Sequence, residues 1–311
     1  MIEYLRVLRP DHWLKNVFVI FGHLVAIVLL ALPVNVSLIA HAFFSLVPAC
    51  LIASANYILN EILDAPFDRV HPTKRSRSVA AGRVQTCVLW ILMGVLCVAG
   101  FVLATLFFNA GYVISLGLFL LSGVVYNVEP LRLKDRAFLD VIAESFNNPI
   151  RLWLGWYALA PSTSFPPLSI VLAWWFFGAL LMAGKRYAEL RFIGNSEQRG
   201  QYRKSFRIYT EKTLILSMVT YANFFCFCLG VAITTYRPNL VFVFPLVVVA
   251  IVVYLRQIMT VEQARLEPEH LLRNPMVILC TIAVVALAIL LTGINTDLTK
   301  PLRFFELIHG K

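Results

Sequence analysis

Three carboxylates fall within eight residues in the segment Asn56-Tyr57-Ile58-Leu59-Asn60-Glu61-Ile62-Leu63-Asp64-Ala65-Pro66-Phe67-Asp68. Asn56, Asn60 and Asp64 are four apart, so on a helix they share one face. Pro66 is expected to end or kink that helix just beyond Asp64, before Asp68. Glu61, Asp64 and Asp68 repel one another unless cations hold them. Mg2+ suits such a set, because it is a hard ion that keeps several waters and binds through one or two carboxylates plus substrate phosphates. The next residues supply His71, Lys74, Arg75 and Arg77, the complement for phosphate oxygens. The plain alternative is a solvated loop of ordinary salt bridges, and the density of acids and bases beside in-span amides argues against it.

A second constellation is Asp140, Glu144, Asn147 and Arg151. Offsets of 0, 4, 7 and 11 put all four within about 60° on one helix face, with Arg151 about 16 Å along the axis from Asp140. Ionisable groups at that depth in a membrane are costly and normally face a bundle interior or a wet cavity. The stripe is therefore expected to line a cavity, and Pro149 to break the helix ladder beside it. A structural Glu144–Arg151 ion pair is the competing explanation.

Both constellations need elements to carry them, and the composition says which kind. Of 311 residues 59% are hydrophobic and only 14% charged, against roughly 25% in a soluble domain, and the mean hydropathy is +0.77. The apolar residues form nine runs, near 17–33, 38–60, 87–108, 111–127, 137–159, 167–185, 212–235, 239–258 and 275–293. Each is long enough to cross a hydrocarbon core of about 30 Å as a helix. The expectation is an all-α polytopic membrane protein, one domain over 1–311, with about nine transmembrane helices around a central cavity open to the cytoplasm. Lys and Arg divide 22 to 4 between the two sets of alternate loops, with Arg151 inside a span. The positive-inside rule then puts the N-terminus and the long loops in the cytoplasm and the C-terminal tail outside, in the cell's cytoplasmic membrane.

The net charge of +10 sits in loops between spans, which suits anionic lipid headgroups and phosphorylated substrates better than nucleic acid. The six cysteines lie in or beside apolar runs without ligand spacing and read as small hydrophobes. The first apolar run lacks a small-residue cleavage site and reads as an uncleaved first helix. Three further segments hold polar groups at span ends: Arg9-Pro10-Asp11-His12-Trp13-Leu14-Lys15-Asn16, the basic loop Tyr126 to Arg136, and Lys185-Arg186-Tyr187-Ala188-Glu189-Leu190-Arg191 leading to Arg203–Thr210. The first also suits an interfacial Trp and Lys belt, and the last could simply enforce topology.

These residues resemble the UbiA superfamily of intramembrane prenyltransferases over essentially the whole chain. That family carries an Asn-Asp-x-x-Asp-x-x-x-Asp motif after span two and a second acidic segment after span four. Asn60, Asp64 and Asp68 match the first, with Glu61 where the family usually has Asp, while Tyr126, Arg132, Lys134 and Asp140 look like the second, with Glu144 in place of a frequent Asp. The N-terminal, His-Pro-x-Lys-Arg-x-Arg, Lys-Arg-Tyr-Ala-Glu-Leu and Arg-Lys-Ser…Tyr-Thr segments look most like the decaprenyl-phosphate phosphoribosyltransferase family, whereas Tyr126 through Lys134 is more like members that prenylate aromatic rings.

The resemblance implies a transferase that breaks a carbon–oxygen bond to diphosphate, with Mg2+ as cofactor. The metal would be held by Asp64, Asp68 and Asp140 with Asn60 and Glu61, and Asp64, Asp68, Asp140 and Glu144 would form the catalytic set. Phosphate ligands would be His71, Lys74, Arg75, Arg77, Lys134, Lys185 and Arg186. Lys15, Asn16, Asn56, Tyr126, Asn147, Arg151, Tyr187 and Glu189 would shape the substrate pocket. The first reading takes phosphoribosyl diphosphate as donor and a polyprenyl phosphate as acceptor. The second moves a polyprenyl group from its diphosphate to an aromatic acceptor, with Arg151 as the candidate for the acceptor's carboxylate. A transporter or lipid-binding protein without chemistry accounts for the cavity but not for carboxylates beside a phosphate clamp.

Overall fold

The computed structural model describes residues 2–69, 74–193, 203–260, 275–292 and 298–299, which are helical with no strand among them. They form two compact units, Met1–Pro166 with Gly200–Ile208, and Pro167–Arg199 with Tyr209–Lys311.

The first unit contains α1 (Ile2–Leu8), α2 (Val17–Leu29), α3 (Val36–Phe44), α4 (Leu46–Asp68), α5 (Thr86–Phe107), α6 (Ala110–Asn127), α7 (Leu139–Ser145) and α8 (Asn147–Leu159). Short 3-10 turns at Pro10–Asn16, Lys74–Ser76, Leu133–Asp135 and Lys204–Arg207 also belong to it. Two long apolar runs are broken by the same device. A proline cannot bond the carbonyl four residues earlier and its ring crowds it. Pro48 accordingly follows a helix that stops at Phe44, and Pro149 one that stops at Ser145. Each proline then sits in the first turn of the next helix, where a missing N–H costs nothing. Pro66 behaves differently from expectation: α4 runs through it to Asp68. It lies in the last turn, where only one ladder bond remains to be lost, so Asn60, Asp64 and Asp68 stay on one continuous helix.

Helices α2 and α8 meet backbone to backbone. A Cβ on Gly155 would come within 2.0 Å of the Val19 carbonyl oxygen, and one on Gly22 within 2.2 Å of that of Leu152. Asn109 caps α6 through the Tyr112 amide at 3.1 Å and donates to the carbonyls of Tyr157 and Ala160 at 2.8 Å each, tying α6 to the end of α8. Helix α4 packs on α5 and α6 and carries the acidic segment.

The second unit contains α9 (Leu168–Phe192), α10 (Glu211–Tyr236), α11 (Phe244–Thr260) and α12 (Pro275–Thr292). Helices α9 and α10 pair along their length, with Phe176 stacked on Phe224 at 5.0 Å. The Tyr254 hydroxyl of α11 donates to the Leu181 carbonyl at 3.2 Å, a close approach that depends on Gly184 having no side chain.

Seven helical stretches among the described residues are long and apolar enough to cross a membrane. They correspond to seven of the nine expected runs. Of the other two, the run at 275–293 forms α12, and the run at 137–159 is divided into α7 and α8. The chain is a multi-pass membrane protein.

Gly155→Val is expected to cost more than the ~1–3 kcal/mol of ordinary overpacking, because main chain rather than a yielding side chain blocks the site. Gly94→Ala, which meets nothing within 4 Å in mid-α5, should be neutral or gain up to ~1 kcal/mol. Thermal unfolding in detergent checks both, and equal melting points for the two variants would refute the packing.

Candidate active site

Asp64 is the centre of the acid–base cluster in the first unit. Its Oδ1 accepts from Arg132 Nη2 at 3.0 Å and from Lys134 Nζ, while its Oδ2 accepts from Asn60 Nδ2 at 3.1 Å. Asn60 also donates to Asn127 Oδ1 at 2.6 Å, and Lys134 donates to the same oxygen at 2.8 Å. Asn127 is fixed in turn by donating to the Gly123 carbonyl at 2.8 Å. Arg132 adopts φ 31° and ψ 58°, a left-handed conformation unfavourable to a side chain with a Cβ. Its bonds to Asp64, to the Asn127 carbonyl at 3.2 Å and to Asp135 at 3.1 Å hold it there. Burial pushes the Lys134 ammonium below the ordinary lysine range, and the Asp64 charge pulls in the opposite direction.

Asp140 is wholly buried, facing Arg203 Nε at 3.5 Å and Ser205 Oγ at 3.4 Å. Arg203 also donates to the Lys134 carbonyl at 3.3 Å and to the Tyr126 hydroxyl at 2.8 Å. The Lys134–Arg203 contact therefore bridges the Asp64 and Asp140 sites. Asp68 accepts from Arg77 Nη1 at 2.7 Å. Phe67 lies under the Arg132 guanidinium at 4.9 Å, a cation–π contact. Glu61 is buried and takes the Val79 amide and Arg9 instead.

Deeper in the same unit, Arg151 is buried on α8, donates to Asn16 Oδ1 at 3.1 Å and lies 4.9 Å over the Phe119 ring. Asn16 donates on to Cys50 Sγ at 3.2 Å. Asn56 donates to the Phe119 carbonyl at 2.9 Å, and its buried Oδ1 has no hydrogen-bond partner among the described residues. Asn147 accepts from Ser122 at 2.8 Å and donates to the Glu144 carbonyl at 3.1 Å, with Glu144 half-buried beside it. Lys15 Nζ is 3.5 Å from His12 Nδ1. Lys74 is half-buried and Arg75 exposed. His71 lies outside the described residues. In the second unit Arg186 is buried and donates to Glu189 at 2.8 Å, Tyr187 is buried under Arg191, and Lys185 is half-buried.

Asn127, Asp135 and Arg203 join the cluster without a spacing signal. Asn127 ends an apolar run as Asn60 does, which is a faint hint. Arg203 follows Asp140 by 63 residues, and only the fold brings them together.

Among the described residues no three of His, Cys, Asp and Glu converge as a ready metal cage. Each of Asp64, Asp68 and Asp140 instead faces a protein cation. The donor set is still one of hard oxygens beside a half-buried amide, which fits a Mg2+ that arrives with phosphate oxygens of its own.

Helices that enclose carboxylates paired with arginine and lysine define an integral-membrane protein with an acid–base cluster inside its first unit. The chain belongs to the UbiA prenyltransferase family, whose model matches residues 18–272, and is a transferase. It is 32% identical over 233 residues to decaprenyl-phosphate phosphoribosyltransferase of Mycolicibacterium smegmatis, covering 73% of this chain and 68% of that one. It is 31% identical over 239 residues to the protein of the same name from Mycobacterium tuberculosis, covering 72% of each. The fold is similar to that of a UbiA homolog from Archaeoglobus fulgidus bound to DMAPP and Mg2+, with TM-score 0.69, 16% identity, and coverage of 94% of this chain and 99% of that one.

Asp64→Asn leaves Arg132 and Lys134 sharing a site without a full counter-charge, and should cost about 2 kcal/mol and nearly all turnover. Adding Lys134→Met should recover most of the melting temperature and none of the turnover. Restored turnover in the double variant, or full turnover in the single one, would contradict the assignment of Asp64.

Proposed function

We propose that the chain transfers 5-phosphoribose from phosphoribosyl diphosphate to a polyprenyl phosphate, with Mg2+ required, acting as one UbiA-like domain over 1–311. The observation that carries this is Asp64 held between Arg132 and Lys134, with Asp68 on Arg77 nearby on the same helix. The names of the relatives from Mycolicibacterium smegmatis and Mycobacterium tuberculosis support the choice of donor.

In the reaction the bond from ribose C1 to diphosphate breaks with its electron pair leaving on the diphosphate, and a phosphate oxygen of the lipid forms the new bond to C1. Both substrates are already ionised, so no net proton transfer is needed. Positive charge builds on C1 while negative charge builds on the departing oxygen, and preorganised cations at that oxygen contribute most. Arg77, Lys134 and Arg132 can turn from carboxylate to phosphate oxygens, with Lys74, Arg75 and His71 completing the clamp. Asp64, Asp68 and Asn60 would hold Mg2+, which supplies Lewis-acid neutralisation of the leaving diphosphate when bound. Asp140 and Glu144 would hold a second ion or orient a sugar hydroxyl. Lys185 and Arg186 of the second unit are further phosphate-binding candidates, with Tyr187 and Glu189 as substrate-binding candidates beside them. Tyr126, Asn147, Asn56, Lys15 and Asn16 complete the substrate walls.

The proposed setting is the cytoplasmic membrane, with the N-terminus and long loops in the cytoplasm and the C-terminus outside. An isoprenoid tail would leave sideways between apolar helices, since it gains nothing by entering water.

Aromatic prenyl transfer is the second reading, and Arg151 favours it: a buried guanidinium on Asn16 suits a flat, carboxylated acceptor. A donor panel on purified protein with Mg2+ separates the two. Phosphoribosyl diphosphate should be consumed only when polyprenyl phosphate is present. Silence at every lipid chain length, together with turnover of an allylic diphosphate and an aromatic acid, would reject phosphoribosyl transfer. Arg151→Gln should then raise the aromatic acceptor's KM.

A further inference from the structure

The polar side chains of α4 reach in two directions. Asn60 and Asp64 meet Asn127, Arg132 and Lys134. Glu61 and Asp68, seven residues apart and so stacked along the helix, meet the segment 77–79 instead. Glu61 is 3% exposed, its Oε1 accepts the Val79 amide at 3.2 Å, and its Oε2 lies 3.6 Å from Arg9. Asp68 holds only the tip of Arg77. An arginine tip can swing away on its stem, whereas a main-chain amide cannot leave unless the segment moves.

The N-terminal helix grips the same segment from the other side. Glu3 Oε2 accepts from Ser78 Oγ and from Arg83 Nε at 2.8 Å each, and the Tyr4 hydroxyl accepts from the Gln85 amide at 3.1 Å. Val7 is buried with Ile58, Ala65, Val79, Val84 and Leu89. Arg9 leaves α1 at φ 48° and ψ 60°, a conformation that a residue with a Cβ keeps only when its surroundings hold it. There its guanidinium lies 5.7 Å over the Tyr57 ring and faces Glu61.

We propose that Glu61, although it stands in the run of acidic residues, is not a metal ligand but a positioning residue that docks α1 and the basic segment 77–79 onto α4. Helix α1 then sets where Arg77 stands. The proposal rests on the reading of Arg77 as a diphosphate ligand. It also gives the glutamate at this position a reason. The longer side chain spans from α4 to a main-chain amide and an arginine at once, so Glu61→Asp should behave like Glu61→Gln.

The test uses the full chain in detergent, with Glu61→Gln and, because Glu3 is distant in sequence from every metal candidate and partly exposed, Glu3→Gln as the second variant. Hydrogen exchange of the Val79 amide in ligand-free protein should speed up about tenfold in both, the effect of losing one charge-assisted hydrogen bond. The donor KM should rise about tenfold, with kcat, the lipid KM and the Mg2+ concentration for half-maximal turnover changing less than about twofold. Retained Val79 protection in Glu61→Gln, or a Mg2+ requirement raised about tenfold or more while Glu3→Gln is silent, would overturn the proposal. If Glu61→Gln fails to fold, Glu61→Asp decides the role of Glu61 on the same readouts, and Glu3→Gln that of α1. Exchange needs no substrate, so anchoring is judged separately from the donor panel, and if the donor proves to be a prenyl diphosphate its KM is the one that rises.

Discussion

Asp64 between Arg132 and Lys134 is the interaction on which the surrounding architecture depends. Removing charges from water is expensive, and breaking a partly buried pair leaves an uncompensated ion. The first unit therefore supplies cations for the other buried carboxylates too, from separate stretches of chain: Arg77 for Asp68, Arg203 for Asp140, Arg9 for Glu61. The left-handed backbone at Arg132 is a cost accepted to aim one guanidinium at two carboxylates and a carbonyl.

Rigid packing around the cluster makes that aim possible. The Gly22–Gly155 contact brings α2 and α8 so close that Asn16, just before α2, reaches Arg151. Gly123 lets Asn56 lie flat against α6, since a Cβ there would fall 2.1 Å from its oxygen. Prolines 48 and 149 divide two long runs, and the second break separates the helix bearing Asp140 from the one bearing Arg151.

Much of this is legible in the sequence for a physical reason: membrane helices announce themselves by apolar length, and polar residues four apart must share a face. The relation of Asn60 to Asp64 comes from spacing, and the place of Arg151 inside a span from the apolar run around it. The single-helix stripe from Asp140 to Arg151, by contrast, is divided between α7 and α8. Spacing is blind to direction and to distance along the chain. Glu61 sits among the acids yet faces a backbone amide, because a helix turns 100° per residue and its neighbour looks elsewhere. Arg203 lies 63 residues along the chain from Asp140, and no local pattern links them. The effect of a proline depends on the length of helix beyond it: Pro66 has too little left to kink, whereas Pro48 and Pro149 have whole helices to start. His71, read as a phosphate ligand, lies outside the described residues.

Carboxylates already engaged by arginine and lysine have little left for a metal alone. Under the proposed function, a diphosphate would change the balance by drawing those cations to its own oxygens and bringing negative charge for the metal to share. Titration of ligand-free protein with Mn2+, read by electron paramagnetic resonance with and without pyrophosphate, tests this directly. Weak binding that tightens at least about tenfold with pyrophosphate, and is lost in both conditions in Asp64→Asn, is the expected result. Tight Mn2+ binding without pyrophosphate, or binding indifferent to Asp64, would contradict it.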